Sequence, residues 1–493
     1  MNKLYVACDL GAENGRVMLG TLSRDQLMIS EIRRFPNQPI REKDSLHWDI
    51  PQLYHETVLG LREISKYEEH IQSISCNSWA ADYLLFDSSG ELMTPTFHFA
   101  DPRAVDGMKA VFAKVGPEKI YGQTGVHQSV DTTLFQLGGE KSKRLRKASQ
   151  LLPVADGFNY LLGGAARVEM SSASATQLFN PLTGTWSQEM LNAVGVSAKL
   201  MPEIVPAGTP LGDLRKDVAE DAKLDGTRIT AACSDALAAA LVGLPVGNAE
   251  TWAYLQLGRQ SILGTVLSGP IISDGARELG FTNEMGFGGS VRFSKRGIGL
   301  RILDECNSYW KKTERDLSGE VLTHLAVCSD PFESLINPTD PRFAEPGDMP
   351  LKVQAFCKET NQTIPRKPGP IIRCVLESLA LQYRKAFREM EALTGRQVQR
   401  LFILGDTSNS LLNNFVANAL QIPVTFAPPE ATAIGNVLVQ ALALRHIQSL
   451  EQARHIVQSS FKMETVIPHA AVWNTAFDRF TELLPGSATE SEN

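Results

Sequence analysis

Apolar runs and short polar breaks alternate from the first residues. Leu4–Cys8 is apolar and ends in Asp9, a polar turn carries Gly11 and Gly15, and after Arg16 the chain is apolar again to Thr21. This pattern predicts a strand, a glycine turn and a returning strand. Leu27–Phe35 then continues the meander after a polar turn at Ser23–Gln26. Leu53, Val58, Leu61 and Ile64 follow at roughly helical spacing, which predicts a helix entered at Pro51. Ile71–Cys76 reads as a strand by its β-branched alternation, and Leu84–Asp87 as another. Ile229–Cys233 is a small-residue strand that leads through Ser234 and Asp235 into an alanine-rich helix from Ala236. Asp235 suits a helix cap, and its place after a strand end suits a ligand.

Near Thr251 the pattern begins again. Trp252–Thr265 repeats the order of an apolar strand, Leu-Gly, a polar turn and an apolar strand ending Leu-Gly-Thr. Two lobes of related build are expected, at a period too long for a solenoid. Ile372, Leu376, Leu379, Tyr383, Ala386, Met390 and Leu393 form one stripe, which predicts a helix over 371–394 stopped by Gly395. A strand over 401–404, a turn at Gly405–Asn409, a helix over 410–420, a strand over 424–426 and a helix after Glu430 complete an α/β order. The proline-rich stretch Asn337–Pro350 is expected on the surface and Gly486–Asn493 as a disordered tail. The expected division is 1–245, 246–484 and the tail 485–493.

Composition narrows the class of partner. The chain has 493 residues, 43% apolar and 21% charged, which is more than one core accommodates. A net charge of −7 argues against nucleic acid and anionic membranes. No signal-peptide pattern or membrane-length apolar run is present, so a cytoplasmic protein, monomer or homodimer, is expected. Seven scattered cysteines without a CxxC pair read as reduced thiols, with any pairing of Cys357 and Cys374 left open.

The candidate chemistry lies at the strand ends. Gly11 and Gly15 free the backbone N–H groups to close on an anion, Asp9 can hold a hydrated divalent cation, and Arg16 can neutralise phosphate; an ordinary hairpin is the alternative. Trp79 and Asp82 suit a sugar, with the indole against C–H groups and the carboxylate accepting from hydroxyls; a core Trp beside an acid is the alternative. Asp101 and Arg103 are a close acid and base, or a solvated ion pair.

In their order these segments resemble the FGGY carbohydrate kinases. The resemblance rests on Asp9-x-Gly11…Arg16, Trp79…Asp82, Asp101-x-Arg103, Asp235, the Gly258 turn, Gly405…Asn409 and Glu430–Gly435, and it covers nearly the whole chain. Arg33–Asn37, Leu46–Ile50, Thr133–Leu137 and Ile336–Pro338 are similar to the branch that acts on L-rhamnulose. The resemblance implies an actin-like ATPase fold, two ribonuclease H-like lobes around a central cleft. It implies ATP, Mg²⁺ and phosphoryl transfer to a ketose hydroxyl, the 1-hydroxyl of L-rhamnulose in that branch. It assigns Asp235 as the base and Asp9 to the metal. Gly11, Ala12, Glu13, Asn14, Gly15, Arg16 and Gly258 would hold phosphates, and Gly405 the nucleotide. Trp79, Asp82, Asp101 and Arg103 would line the sugar side.

Departures from the family pattern cluster at the same places. The second phosphate turn carries Arg259 and Gln260 in place of hydroxyl residues. The adenine-side glycine run is Leu404-Gly405-Asp406. Ser234 and Ala236 flank Asp235 where His and Thr are usual, Ala80 replaces a glycine, and Arg296, Arg301 and Asp304 stand where Asn, Trp and Gln are expected. Either altered specificity or a kinase-fold protein that binds sugar without transfer is compatible with this pattern.

Overall fold

The computed structural model describes residues 2–67, 70–247, 251–313, 317, 319–469 and 472–485; the expected tail beyond Pro485 lies outside them. The chain forms two units. The first comprises Met1–Asn248, Val266–Phe293 and Glu430–Lys462, the second Ala249–Thr265, Ser294–Pro429 and Met463–Asn493.

The first unit is built on a six-stranded sheet in the order Thr209–Asp213, Arg228–Ala231, Ile71–Ser78, Lys3–Leu10, Asn14–Ser23, Gln26–Pro36. Lys3–Leu10 runs antiparallel to Asn14–Ser23 and parallel to Ile71–Ser78, which is itself parallel to Arg228–Ala231. Lys3–Leu10 is therefore central and apolar on both faces. Leu4, Val6, Cys8 and Leu10 pack with Leu61, Ile74 and Phe158, whereas Tyr5 and Ala7 pack with Ala239, Val437 and Leu438. The two-residue period places Asp9 on the Tyr5–Ala7 face, at the strand end.

Helices Ala236–Val242 and Ala431–Ala443 cover that face. They meet through small residues: a Cβ on Gly435 would lie 1.8 Å from the Ala239 carbonyl oxygen. Gly435→Val should therefore lower stability by about 1–3 kcal/mol through overpacking against backbone. Urea denaturation reads this directly, and an unmoved midpoint would show that the helices part without cost.

The second sheet has seven strands, in the order Phe281–Met285, Val291–Ile298, Gln260–Leu267, Trp252–Leu257, Arg400–Gly405, Val424–Phe426, Thr465–Val466. Trp252–Leu257 is antiparallel to Gln260–Leu267 and parallel to Arg400–Gly405, which is parallel to Val424–Phe426; an antiparallel edge strand follows. With Phe281–Met285 set aside as an added edge strand of the second sheet, both sheets place their third, second, first and fourth strands side by side, then a parallel strand and an antiparallel edge. The repeat of the opening hairpin at Trp252 thus extends to the whole sheet.

The long helix begins at Pro368 rather than Ile371 and ends at Thr394 on Gly395, which has φ 65°. Pro368 and Pro370 fit because the first helical turn has no N–H partners to lose. The stretch 337–350 is not confined to the surface: Asn337, Phe343 and Met349 are buried, anchoring an otherwise exposed excursion. Cys357 and Cys374 form no disulfide; their thiols hydrogen-bond to each other, which holds Cys357 below the usual thiol range. Among the described residues no helix is long and apolar enough to cross a membrane.

Candidate active site

Three parallel strands of the first unit end at one edge. Asp9 stands opposite Asn77 in register, and Ser78 bridges to Asp235, with the Ser78 amide donating to the Ser234 carbonyl at 2.9 Å. Asp9 and Asp235 thus flank the Ile71–Ser78 strand, about two strand spacings or roughly 10 Å apart. Carboxyl ends of parallel strands are where α/β proteins bind ligands.

Asp9 is held from two sides. Arg16, its cross-strand partner, pairs with Oδ2, and Asn77 Nδ2 donates to Oδ1 at 2.6 Å. The chain of amides continues inward: Asn436 Nδ2 donates to Asn77 Oδ1 at 2.9 Å, Gln440 Nε2 to Asn436 Oδ1 at 2.7 Å, and Gln440 Nε2 also to the Val6 carbonyl at 2.9 Å. Each Asp9 oxygen keeps a lone pair for the water of a hydrated cation. At the hairpin tip Gly11 N–H closes on the Asn14 carbonyl at 2.8 Å. The amides of Ala12 and Glu13 meet no acceptor among the described residues, so these two are the ones open to an anion. Gly15 serves packing: a Cβ there would lie 2.2 Å from the Phe35 ring.

Asp235 caps helix Ala236–Val242, with Oδ1 accepting from Ala238 N at 2.8 Å and pairing with Arg292 Nη1 at 2.8 Å. Arg292, on strand Val291–Ile298, is 1% exposed and also reaches Glu284 at 3.4 Å. Among the described residues no donor reaches Asp235 Oδ2. One carboxylate oxygen is therefore fixed and the other is available to take a proton. Behind it, Ser234 and the Asp235 amide rest on a buried cluster of Asp156, Glu169, Ser171 and Ser172.

The residues expected on the sugar side form tight local networks. Asp82 is 1% exposed and accepts from Trp48 Nε1 at 2.6 Å, Trp79 Nε1 at 2.8 Å and Gln136 Nε2 at 2.8 Å. Burial pushes its pKa up to about 6 against these three donors. The two indoles lie 4.6 Å apart, and His98 stacks on Trp48 at 4.2 Å. Burial brings His98 down to about 4, so it is neutral at physiological pH. Trp79 remains partly exposed. Asp101 accepts from Ser45 Oγ and Leu46 N, both at 2.7 Å, and from Arg103 N at 3.0 Å. Arg103 pairs with buried Glu140 at 2.8 Å and lies over the Phe97 ring at 3.7 Å. Asp82, Asp101 and Arg103 thus brace the walls that present Trp79.

In the second unit, Gly258 and Gly405 end adjacent parallel strands, Leu257 standing opposite Gly405. Gly405 has φ 83°, and a Cβ there would lie 2.2 Å from the Leu257 carbonyl oxygen; glycine is required for both reasons. Gly258 accepts from Leu300 N at 2.8 Å. Arg259 lies 3.6 Å from both Asp304 and Glu305. Asp406 turns the loop by accepting from Ser408 N at 3.0 Å and Ser408 Oγ at 2.6 Å, and Asn409 caps helix Ser410–Leu420. A cavity of about 770 Å³ opens here, lined by Leu300, Leu303, Asn307 and Ile372 and by the acids Asp304, Glu320 and Asp406.

Arg292, Asn77, Asp156 and Glu169 escaped the sequence reading. An Arg set between Val291 and Phe293 was the available signal for Arg292. The others carry none, because their partners lie far along the chain.

The comparisons with known proteins agree with this architecture. Residues 4–243 match the N-terminal domain, and 253–444 the C-terminal domain, of the FGGY family of carbohydrate kinases. The chain is similar to the rhamnulokinase of Bacteroides thetaiotaomicron, 34% identical and covering 97% of this chain and 99% of the relative. It is also similar to the rhamnulokinase of Enterococcus faecalis, 35% identical over 94% of each chain. Among solved structures, the ligand-bound xylulose kinase of Lactobacillus acidophilus superposes with a TM-score of 0.81 at 15% identity, over 98% of this chain and 97% of the other. The fold and the paired strand ends define an actin-like, two-unit kinase architecture. The chain belongs to the FGGY family of carbohydrate kinases, and within it is a sugar kinase of the rhamnulokinase type.

Proposed function

We propose that this protein transfers the γ-phosphoryl group of ATP to a ketose hydroxyl, with the 1-hydroxyl of L-rhamnulose as the first-choice acceptor. The observation that carries the reading is the placement of Asp9 and Asp235 on either side of the Ile71–Ser78 strand at one end of a parallel set, with Asp235 Oδ2 unengaged among the described residues. Phosphoryl transfer needs positioning, charge stabilisation and one base that orients the nucleophile. Asp235 Oδ2 accepts the proton of the sugar hydroxyl while Arg292 and the Ala238 amide hold Oδ1 still. Trp79 stacks against the sugar ring, and Asp82, Asp101 and Arg103 keep that wall rigid. The Ala12 and Glu13 amides, within the Gly11–Arg16 turn, bind phosphate oxygens, as does the turn at Gly258; Gly405 lies by the nucleotide. Asp9 would hold a hydrated Mg²⁺, which would neutralise charge on the transferring phosphates when bound.

Release of ADP, measured with L-rhamnulose, L-fuculose, L-ribulose and D-xylulose in parallel, tests the reading; L-rhamnulose should give the highest kcat/KM. A second reading, sugar binding without transfer, is favoured by the acids that line the second unit's cavity and by the tie of Arg259 to Asp304 and Glu305. No ADP above background with any of the four sugars would select it. The acids also give a prediction. Asp406→Gly removes a negative charge from the cavity and should tighten ATP binding several-fold, about 1 kcal/mol. Calorimetry reads this, and an unchanged Kd would mean that the carboxylate points away from the nucleotide.

A further inference from the structure

We infer that Asp156 and Glu169 are positioning residues for Asp235, a pair of buried carboxylates that fix the peptide carrying the base and so aim its free oxygen. The inference rests on the reading of Asp235 as the base.

Asp156 lies in helix Val154–Leu161, and Glu169 caps helix Met170–Ala175. They are 2% and 1% exposed. Their acceptor oxygens converge on the Ser234–Asp235 step. Ser234 N donates to Glu169 Oε2 at 2.9 Å, Ser234 Oγ to Asp156 Oδ1 at 2.7 Å, and Asp235 N to Ser171 Oγ at 3.1 Å. Ser171 Oγ in turn donates to Glu169 Oε2, and Ser172 Oγ to Asp156 Oδ2. Glu169 N donates to Asp156 Oδ1 at 3.2 Å, which locks the two acids to each other. The peptide on either side of the Asp235 amide is thus held by these two acids, directly or through one serine. On the far side of Asp235, Arg292 fixes Oδ1. Rotation of the carboxylate is stopped from both directions, which is what a base needs to keep its second oxygen on a hydroxyl.

A purely structural role would be served by any acceptors, or by apolar packing. Two acids with no cationic partner among the described residues are an expensive choice, and burial pushes Asp156 up to about 6 and Glu169 to about 7. The titratable groups facing them are Cys76 from strand Ile71–Ser78, opposite Asp156, and Cys233 from the adjoining strand end, opposite Glu169; Cys233 in turn faces Asp235 and Arg292. As these acids ionise, their grip on the Ser234 and Ser171 donors strengthens, so turnover should rise across the same pH interval.

The test compares Glu169→Gln, Asp156→Asn and Glu169→Asp with the wild type, all as the full chain. Expected is a fall in kcat of about 10- to 100-fold for the two amide variants, with KM for sugar and for ATP within about twofold. The kcat–pH profile should flatten between pH values of about 6 and 7. Glu169→Asp, which keeps the charge but shortens the reach, should not restore the rate. Unchanged kcat in both amide variants, or an unaltered pH profile beside a lowered melting temperature, overturns the proposal. If Asp235→Asn abolishes turnover while the amide variants run at full rate, only the positioning role falls. If Asp235→Asn retains full rate, or the wild type has no turnover, the base itself falls and this inference with it.

Discussion

Asp235→Asn should reduce kcat by about 10²- to 10⁴-fold, the usual contribution of a positioned general base, and leave KM for sugar and ATP nearly unchanged. The substitution is close to isosteric. Asn caps helices as well as Asp does, so the bond to Ala238 N and helix Ala236–Val242 should survive. Arg292 loses one anionic partner but keeps Glu284 at 3.4 Å. What disappears is the proton acceptor at Oδ2. A coupled ADP-release assay at saturating substrates, beside a thermal melt, separates chemistry from folding. Wild-type kcat in a well-folded Asp235→Asn protein would move the base to another side chain.

Most of the architecture was legible because it is written in local patterns. The two hairpins at Lys3–Ser23 and Trp252–Leu267, the stripe of Pro368–Thr394 and the cap at Asp235 each depend on residues within one or two turns of one another. The duplicated strand order followed from the repeated hairpin. The misjudged stretch, 337–350, shows the limit: proline content reads as surface, yet Asn337, Phe343 and Met349 find a core assembled from distant segments. The site was legible as residue types at strand ends, not as a network. Asp82 looked like a sugar ligand because a carboxylate beside Trp79 is what a sugar site uses. Only the fold shows that Trp48, thirty-odd residues upstream, donates to the same oxygen and that Gln136 takes the other. Likewise Gly15 stands in the turn expected to hold phosphate, and only the fold shows that the Phe35 ring also leaves no room for a side chain there.

Arg292→Met should be the most damaging single change for stability. Arg292 is 1% exposed and bridges two nearly buried acids, Asp235 at 2.8 Å and Glu284 at 3.4 Å. Methionine fills much of the volume and is apolar, so the loss is electrostatic. Two carboxylates then remain in a low-dielectric pocket with no cation between them, and breaking a buried pair in this way costs about 3–5 kcal/mol. For a unit of this size that corresponds to a fall in melting temperature of roughly 10 °C. Arg292→Lys should recover part of the stability but less of the rate, since an ammonium lacks the planar fork that reaches both acids. The decisive comparison is Arg292→Met in an Asp235→Asn background. If the ion pair is the source of the loss, the destabilisation by Arg292→Met should shrink markedly there. Equal losses in both backgrounds would assign Arg292 to packing and leave the base without its electrostatic partner.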